Sequence, residues 1–326
     1  MNIAIIFPEN RGLNFKVLPH HVELVHNAFP DAEIMCSADG SDLIEKGFAA
    51  EIIIAWGDPH YVDLGYLLWN KNLKWIHCLS AGVEKLLATD VVKIPGLRIT
   101  NSKGIHETPI SEHVIGYLLC HYRKMKVIYE NQKQEYWYRG FDPVELSGRT
   151  ACIVGAGAIG QGIARRLKAF DVTVYGVKRT PAALKNFDRV YTTEHLDEAL
   201  VEADIVIMAA PLTPETEGMF NAERFAAMKN RPVFINVGRG RSVVTDDLVS
   251  ALTSGTLSGA MMDAVEPEPL TPGHPLWSMN NVLVSPHISA DSDKYFQRAF
   301  QKFVSMADCY RDGSPFPNEI DLSRSY

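Results

Sequence analysis

Three residues of the 326-residue chain have types that suit a single reaction: Arg239, Glu268 and His287. Arg239 lies in Phe234-Ile-Asn-Val-Gly-Arg-Gly240, Glu268 in Asp263-Ala-Val-Glu-Pro-Glu-Pro-Leu270, and His287 in Val284-Ser-Pro-His-Ile-Ser289. Each follows a short apolar run, so all three are expected at the carboxyl ends of strands, where open α/β sheets bind ligands. A ketone that accepts a hydride needs a proton donor near neutral pH, and histidine supplies one. A carboxylate beside that histidine favours the imidazolium and fixes its orientation. An arginine fork holds a substrate carboxylate and polarises the adjacent carbonyl. Taken singly, each residue also has a plainer reading: an Arg after Gly caps a strand, a Glu between prolines is a solvated loop, and Pro-His is a turn.

A source of hydride is suggested by residues 150–180, TACIVGAGAIGQGIARRLKAFDVTVYGVKRT. Ala151 to Val154 form an apolar run of the kind a parallel strand buried on both faces requires. Gly155, Gly157 and Gly160 follow at GxGxxG spacing, and Ile163, Ala164, Leu167 and Phe170 then keep a helical period before Val172 to Gly176 return to a strand. This is the βαβ setting of a dinucleotide site. Gly155 permits the tight turn, Gly157 the close approach of a pyrophosphate, and Gly160 the packing of helix on strand. The amides opening the helix, at Ala158 and Ile159, face the phosphates with the positive end of the helix dipole. The second strand ends in Lys178-Arg179-Thr180, with no carboxylate before Asp188. Two cations and a hydroxyl suit the 2′-phosphate of NADP(H) and offer the ribose of NAD(H) no acceptor. The alternative is a pair of solvated surface charges, in which case NAD(H) remains possible.

The positioning elements are those of two α/β units. Strands are predicted at Ile3–Phe7, Ile34–Met35, Glu51–Ala55, Leu73–Cys78 and Leu97–Thr100, and again near 205–208, 233–236, 260–262 and 282–284. A long helix is predicted from Thr108-Pro109 to about Lys126, with Thr as N-cap and Pro at the first position. An amphipathic helix is predicted over about Asp291–Arg311, with Phe296, Ala299, Phe300, Phe303 and Ala307 on one face. Alternating strands and helices imply parallel sheets. The chain therefore reads as α/β with two domains, residues 1–100 plus 292–326 and residues 101–291.

Composition narrows the partners. Hydrophobic residues make up 46% and charged residues 22%, as in ordinary globular proteins, and the formal net charge of −7 without a long basic run argues against nucleic acid. The five cysteines are scattered without CxxC spacing and read as thiols in a reducing compartment. The N-terminus lacks a basic signal-type region, and no apolar stretch approaches membrane-span length, so a cytoplasmic protein without membrane contact is expected. His113 has no second histidine at metal spacing and reads as a hydrogen-bonding residue of the helix; no catalytic metal is expected.

The chain resembles the D-isomer-specific 2-hydroxyacid dehydrogenase family over nearly its whole length. The segments that carry this are Thr100-Asn-Ser, Ser111-Glu-His, Leu146-Ser-Gly-Arg-Thr150, the glycine turn, Pro211-Leu-Thr-Pro-Glu-Thr216, Asn236-Val-Gly-Arg-Gly240, Asp263, Glu268-Pro-Leu and Pro286-His287. The resemblance implies a Rossmann-type cofactor domain inserted in a flavodoxin-like substrate domain, and a homodimer. Its catalytic Arg, Glu and His fall on Arg239, Glu268 and His287, and its nicotinamide-carboxamide partner on Asp263. Further cofactor contacts are implied at Pro211, Thr216 and Val237. Backbone amides that hold the substrate carboxylate fall on Ser80-Ala81-Gly82-Val83. The implied reaction is reduction of a small 2-keto acid of glyoxylate or hydroxypyruvate type to the D-2-hydroxy acid. An NAD-linked dehydrogenase and a dinucleotide-sensing binding protein of the same fold are the alternatives. Lys178 stands where family members usually carry an acid. Glu268 argues against formate dehydrogenases, which have Gln there and need no proton donor. A regulatory domain of the kind appended to some phosphoglycerate dehydrogenases is not expected. Trp56, Leu79, Trp137, Tyr138 and Met279 are the candidates for shaping the substrate pocket.

Overall fold

The computed structural model describes residues 1–8, 16–180 and 183–322. The chain forms two compact units, Met1–Ile105 with Ser292–Tyr326, and His106–Asp291. Residues 9–15 and 323–326 of the first and 181–182 of the second lie outside the described residues.

The first unit is built on five parallel strands: β1 (Asn2–Ile6), β2 (Glu33–Ser37), β3 (Ile52–Ala55), β4 (Trp75–Cys78) and β5 (Arg98–Asn101). Their order, β2-β1-β3-β4-β5, is that of flavodoxin-like sheets. β3 and β4 are buried at every position, as strands covered on both faces must be. The one polar residue inside β4, His77, is kept neutral: burial pushes its pKa down to about 3. Thr100 and Ser102 meet its two ring nitrogens at 2.8 and 3.2 Å. The C-terminal helical segment joins this unit's core. Tyr295, Phe296, Ala299, Phe300 and Phe303 pack with Ile3, Ile5, Val25 and Trp75. It is not the single helix expected over 291–311 but two, Tyr295–Val304 and Ala307–Asp312, parted at Ser305-Met306 and ended by Gly313 in the left-handed region.

The second unit holds seven parallel strands: β6 (Thr150–Val154), β7 (Thr173–Val177), β8 (Arg189–Tyr191), β9 (Ile205–Met208), β10 (Val233–Asn236), β11 (Gly259–Met262) and β12 (Val282–Val284). The order β12-β11-β10-β9-β6-β7-β8 is the Rossmann order with one strand added. The three-residue edge strand β8 had no apolar run to announce it. The long helix spans Glu107–Tyr122 and packs Ile110, Val114, Tyr117 and Leu118 onto the sheet. Thr108 is therefore inside the helix and not its cap. Pro109 occupies the third position, still in the first turn where no carbonyl awaits its missing N–H. The helix also stops short of Lys126, because Lys124 takes φ 59° and a new helix runs from Met125 to Lys133. Among the described residues, no helix is long and apolar enough to cross a membrane.

Gly160 shows how tightly helix and sheet meet. A Cβ there would lie 2.3 Å from the Gly155 carbonyl oxygen and 3.2 Å from Ile153. Gly160→Ala is expected to cost about 1–3 kcal/mol of stability, the usual price of overpacking. A denaturation midpoint unchanged from wild type would contradict this.

Candidate active site

The glycine turn leaves β6 and opens the helix Ala158–Lys168. Gly155 has φ 104°, and a Cβ on it would strike the Ala209–Ala210 backbone at 2.6–2.8 Å. Only glycine satisfies both demands. Gly157, the N-cap, has open space where its Cβ would stand, and no side chain caps the helix. This is an anion cradle: amides at Ala158, Ile159 and Gly160 that are free among the described residues, a positive dipole end, and room for a group to approach the backbone. The turn lies beside the end of β9, at the point where the strand order reverses, which is where doubly wound sheets bind dinucleotides. The residues therefore fit a dinucleotide.

Around the cradle, Lys178 is half-buried just past β7, and Arg179 and Thr180 are exposed. The Glu215 carboxyl is held below its ordinary range, mainly by the Thr213 hydroxyl and also by the Arg179 cation. Arg179 thus stands within electrostatic reach of the loop 211–216, on the cradle's side of the sheet. Thr216 turns its hydroxyl into that loop, donating to the Pro211 carbonyl and accepting from the Thr213 amide, each at 2.7 Å. It shapes the loop, and Pro211 is exposed at its start. Val237 is buried beyond β10, with its amide on the Met208 carbonyl at 3.0 Å.

Arg239 follows in the same loop, half-buried, with a guanidinium nitrogen 3.0 Å from the Gly238 carbonyl. The loop is knotted by Asn236, which is fully buried. Its amide nitrogen donates to the carbonyls of Arg239 and Ala264, both at 3.0 Å, and its oxygen accepts from the Gly238 amide. A Cβ on Gly240 would fall 1.8 Å from the Val265 carbonyl oxygen, so this loop is pressed against the one that leads to Glu268.

Glu268 and His287 meet. His287 Nδ1 is 2.7 Å from Glu268 Oε1, and both side chains keep about two-fifths of their surface, 41% and 42%. The pKa of His287 is raised above its ordinary value. The hydrogen bond to Glu268 is the main cause, and the charges of Glu268 and Asp263 add to it. Burial and the neighbouring Arg239 guanidinium oppose the rise. The arrangement brings together an arginine and a histidine–carboxylate pair whose second ring nitrogen, Nε2, is directed away from the carboxylate. It is suited to giving a proton to an oxyanion held by a guanidinium.

Asp263 is only 2% exposed. Oδ1 accepts from the Ser285 hydroxyl (2.5 Å) and the amides of Ile288 (3.0 Å) and Ser289 (3.3 Å), while Oδ2 takes the Ser289 amide at 3.1 Å. Oδ2 retains a lone pair for one further donor. His113 makes the hydrogen-bonding contact its setting suggested, with Nε2 3.3 Å from Ser285 Oγ.

In the first unit, Ser80-Ala81-Gly82-Val83 follows β4. Its carbonyls are held from outside: Asn101 donates to Ala81 O (2.7 Å), Ser80 Oγ to Gly82 O (2.7 Å), and the Ser102 amide to Ser80 O (3.1 Å). Among the described residues, the amides of Ala81, Gly82 and Val83 donate to nothing. Gly57 donates to Ser80 Oγ, and a Cβ on it would come within 2.5 Å of that oxygen. Leu79 is fully buried in this unit's core; in the second unit, Trp137 is 91% exposed.

Asn236, Ser285 and Asn101 lie in segments quoted from the sequence, but no role was read for them there. Asn236 carried a signal, a carboxamide closing a buried strand, but the partners of the other two are distant in the chain.

Comparison with known proteins identifies the family of the chain. Residues 115–289 match the family described as D-isomer specific 2-hydroxyacid dehydrogenase, NAD binding domain. The human glyoxylate reductase/hydroxypyruvate reductase is 33% identical over 259 residues, covering 77% of this chain and 78% of its own. A D-isomer specific 2-hydroxyacid dehydrogenase family protein from Aeromonas salmonicida superposes with TM-score 0.86 at 33% identity, over 98% of this chain and 99% of its own. An NADPH-dependent glyoxylate/hydroxypyruvate reductase from Sinorhizobium meliloti, solved with NADP and sulfate, gives TM-score 0.79 at 29% identity over 100% of both chains.

Proposed function

Since this chain belongs to the D-isomer-specific 2-hydroxyacid dehydrogenase family and is a dehydrogenase that uses a nicotinamide dinucleotide, we propose that it reduces a small 2-keto acid, of glyoxylate or hydroxypyruvate type, to the D-2-hydroxy acid, with NADPH as the preferred reductant. The observation that carries the reading is the His287–Glu268 pair at 2.7 Å with Arg239 beside it, in the same unit as the glycine cradle.

The reduced nicotinamide, when bound, supplies the hydride. Gly155, Gly157 and Gly160, with the amides of Ala158 and Ile159, hold the pyrophosphate. Lys178, Arg179 and Thr180 take the 2′-phosphate, and Pro211, Thr216, Val237 and Asp263 frame the rest. The free amides of Ala81, Gly82 and Val83 hold the substrate carboxylate. Arg239 draws electron density onto the carbonyl oxygen of the substrate. His287, protonated and anchored at Nδ1 by Glu268, gives its Nε2 proton to that oxygen.

Support for NADPH comes from the two cations after β7 and from the Sinorhizobium meliloti relative, which is NADPH-dependent by name. The homodimer reading is supported by exposed apolar side chains in one stretch, including Val127, Ile128, Tyr129 and Trp137. Light scattering tests it.

Arg239→Lys is expected to damage KM for the keto acid and kcat together, because a lysine cannot reproduce the planar fork. Affinity for NADPH stays near wild type. A mutant that lost NADPH binding but kept its rate at saturation would make Arg239 a cofactor residue. The reading as a whole is tested with glyoxylate, hydroxypyruvate, pyruvate and phenylpyruvate, each with NADPH and NADH. Fastest turnover is expected for one of the first two with NADPH. No turnover with any pair would contradict the reading.

A further inference from the structure

Behind Asp263 lies a polar chain that the proposed reaction leaves without a task. Ser285, buried just past β12, touches Asp263 on one side and Tyr117 and His113 of the helix Glu107–Tyr122 on the other. The direction of these bonds follows from counting protons. A carboxylate only accepts, so the single Ser285 proton goes to Asp263. Tyr117 must then donate to Ser285. Burial lowers the pKa of His113, and because the Ser285 proton is already given to Asp263, the His113 Nε2 faces Ser285 as an N–H donor. Ser285 is then full, with two donors and one acceptor.

What Asp263 does with this support concerns His287. Its main-chain carbonyl accepts the His287 amide at 3.0 Å, and its carboxylate accepts the next two amides, Ile288 and Ser289. His287 itself has φ 54°, a left-handed conformation that a non-glycine residue keeps only when its surroundings impose it. The three amides gathered on Asp263 impose it here. The turn in turn sets where the imidazole points and whether Nδ1 reaches Glu268.

We propose that Ser285, backed by Tyr117, is a positioning residue of the reaction: it fixes the Asp263 carboxylate that holds the left-handed turn at His287, and thereby aligns His287 with Glu268. The inference rests on the reading of His287 as proton donor. It gives the pair Tyr117–Ser285 a role through the turn and not through contact with substrate.

The experiment compares Ser285→Ala, Ser285→Thr and Tyr117→Phe with wild type and His287→Ala in the full chain. The readouts are kcat and its pH profile at saturating NADPH, with the fastest-reduced acid of the panel. Charged and titratable groups facing His287 are Glu268, Asp263 and Arg239, and none of them is altered. Ser285→Ala is expected to lower kcat about tenfold or more, the worth of one hydrogen bond to a charged group. It should also move the falling limb to lower pH, because a misaligned imidazole loses its bond to Glu268. Ser285→Thr, which keeps the hydroxyl, restores the limb, and Tyr117→Phe shifts it in the same direction as Ser285→Ala by less. A Ser285→Ala enzyme with wild-type kcat and limb overturns the proposal, even if it melts at lower temperature. Should that variant fail to fold, an unmoved limb in Tyr117→Phe overturns it. Full activity in His287→Ala removes instead the donor reading beneath it.

Discussion

Replacing His287 by Ala lowers keto-acid reduction about a hundredfold or more, the usual worth of a positioned general acid. The wild-type rate should also fall as pH rises, and the sign is fixed by the site. The reaction needs the imidazolium, and the Glu268 bond raises the His287 pKa above its ordinary 6.5. Activity is therefore full below that raised pKa and lost as pH climbs through it. Glu268→Gln removes the main cause of the rise, so the loss begins at lower pH while NADPH still binds. Steady-state rates across neutral and alkaline pH check both statements. A flat wild-type profile together with an active His287→Ala enzyme would end the assignment.

The second large effect is on cofactor choice. Lys178 and Arg179 sit where the second strand of the βαβ unit ends, and a 2′-phosphate carries close to two negative charges. Each charge-assisted bond to it contributes about 1.5–3 kcal/mol, so each lost partner changes affinity about tenfold to a hundredfold. Lys178→Asp with Arg179→Ala removes both cations and adds an acceptor for a ribose hydroxyl. The preference for NADPH should reverse or vanish, mostly through KM, since these contacts serve ground and transition states alike. Parallel titrations with NADPH and NADH read this directly. Equal KM values in wild type would show that the two cations point to solvent, with the hydride-transfer reading untouched.

How much of this was legible in the sequence depended on how local the cause is. Buried parallel strands read as apolar runs, so Ile52–Ala55 and Ile205–Met208 announced themselves within a residue or two. The glycine turn was legible because one residue type answers three separate steric demands. The edge strand Arg189–Tyr191 was not, since it is short and half-polar. Nothing in Arg123-Lys124-Met125 marks the left-handed residue that splits the expected helix. At the site, residue types revealed Arg239, Glu268 and His287, because their chemistry shows in the side chain. The groups that hold them did not show. Ser285 and Tyr117 are 168 positions apart and meet only once the sheet has formed. The left-handed turn at His287 is invisible in Pro-His for the same reason.

The most direct test of the central claim follows product and cofactor together. Purified protein is given glyoxylate or hydroxypyruvate with NADPH, and oxidised cofactor is counted against hydroxy acid resolved on a chiral column for hydroxypyruvate. The account predicts one hydroxy acid per NADPH consumed, of D configuration where a stereocentre forms. It also predicts that His287→Ala binds NADPH with wild-type affinity while forming almost no product. A protein that binds NADPH tightly but leaves every 2-keto acid of the panel unreduced would contradict it, and would make the fold a dinucleotide sensor.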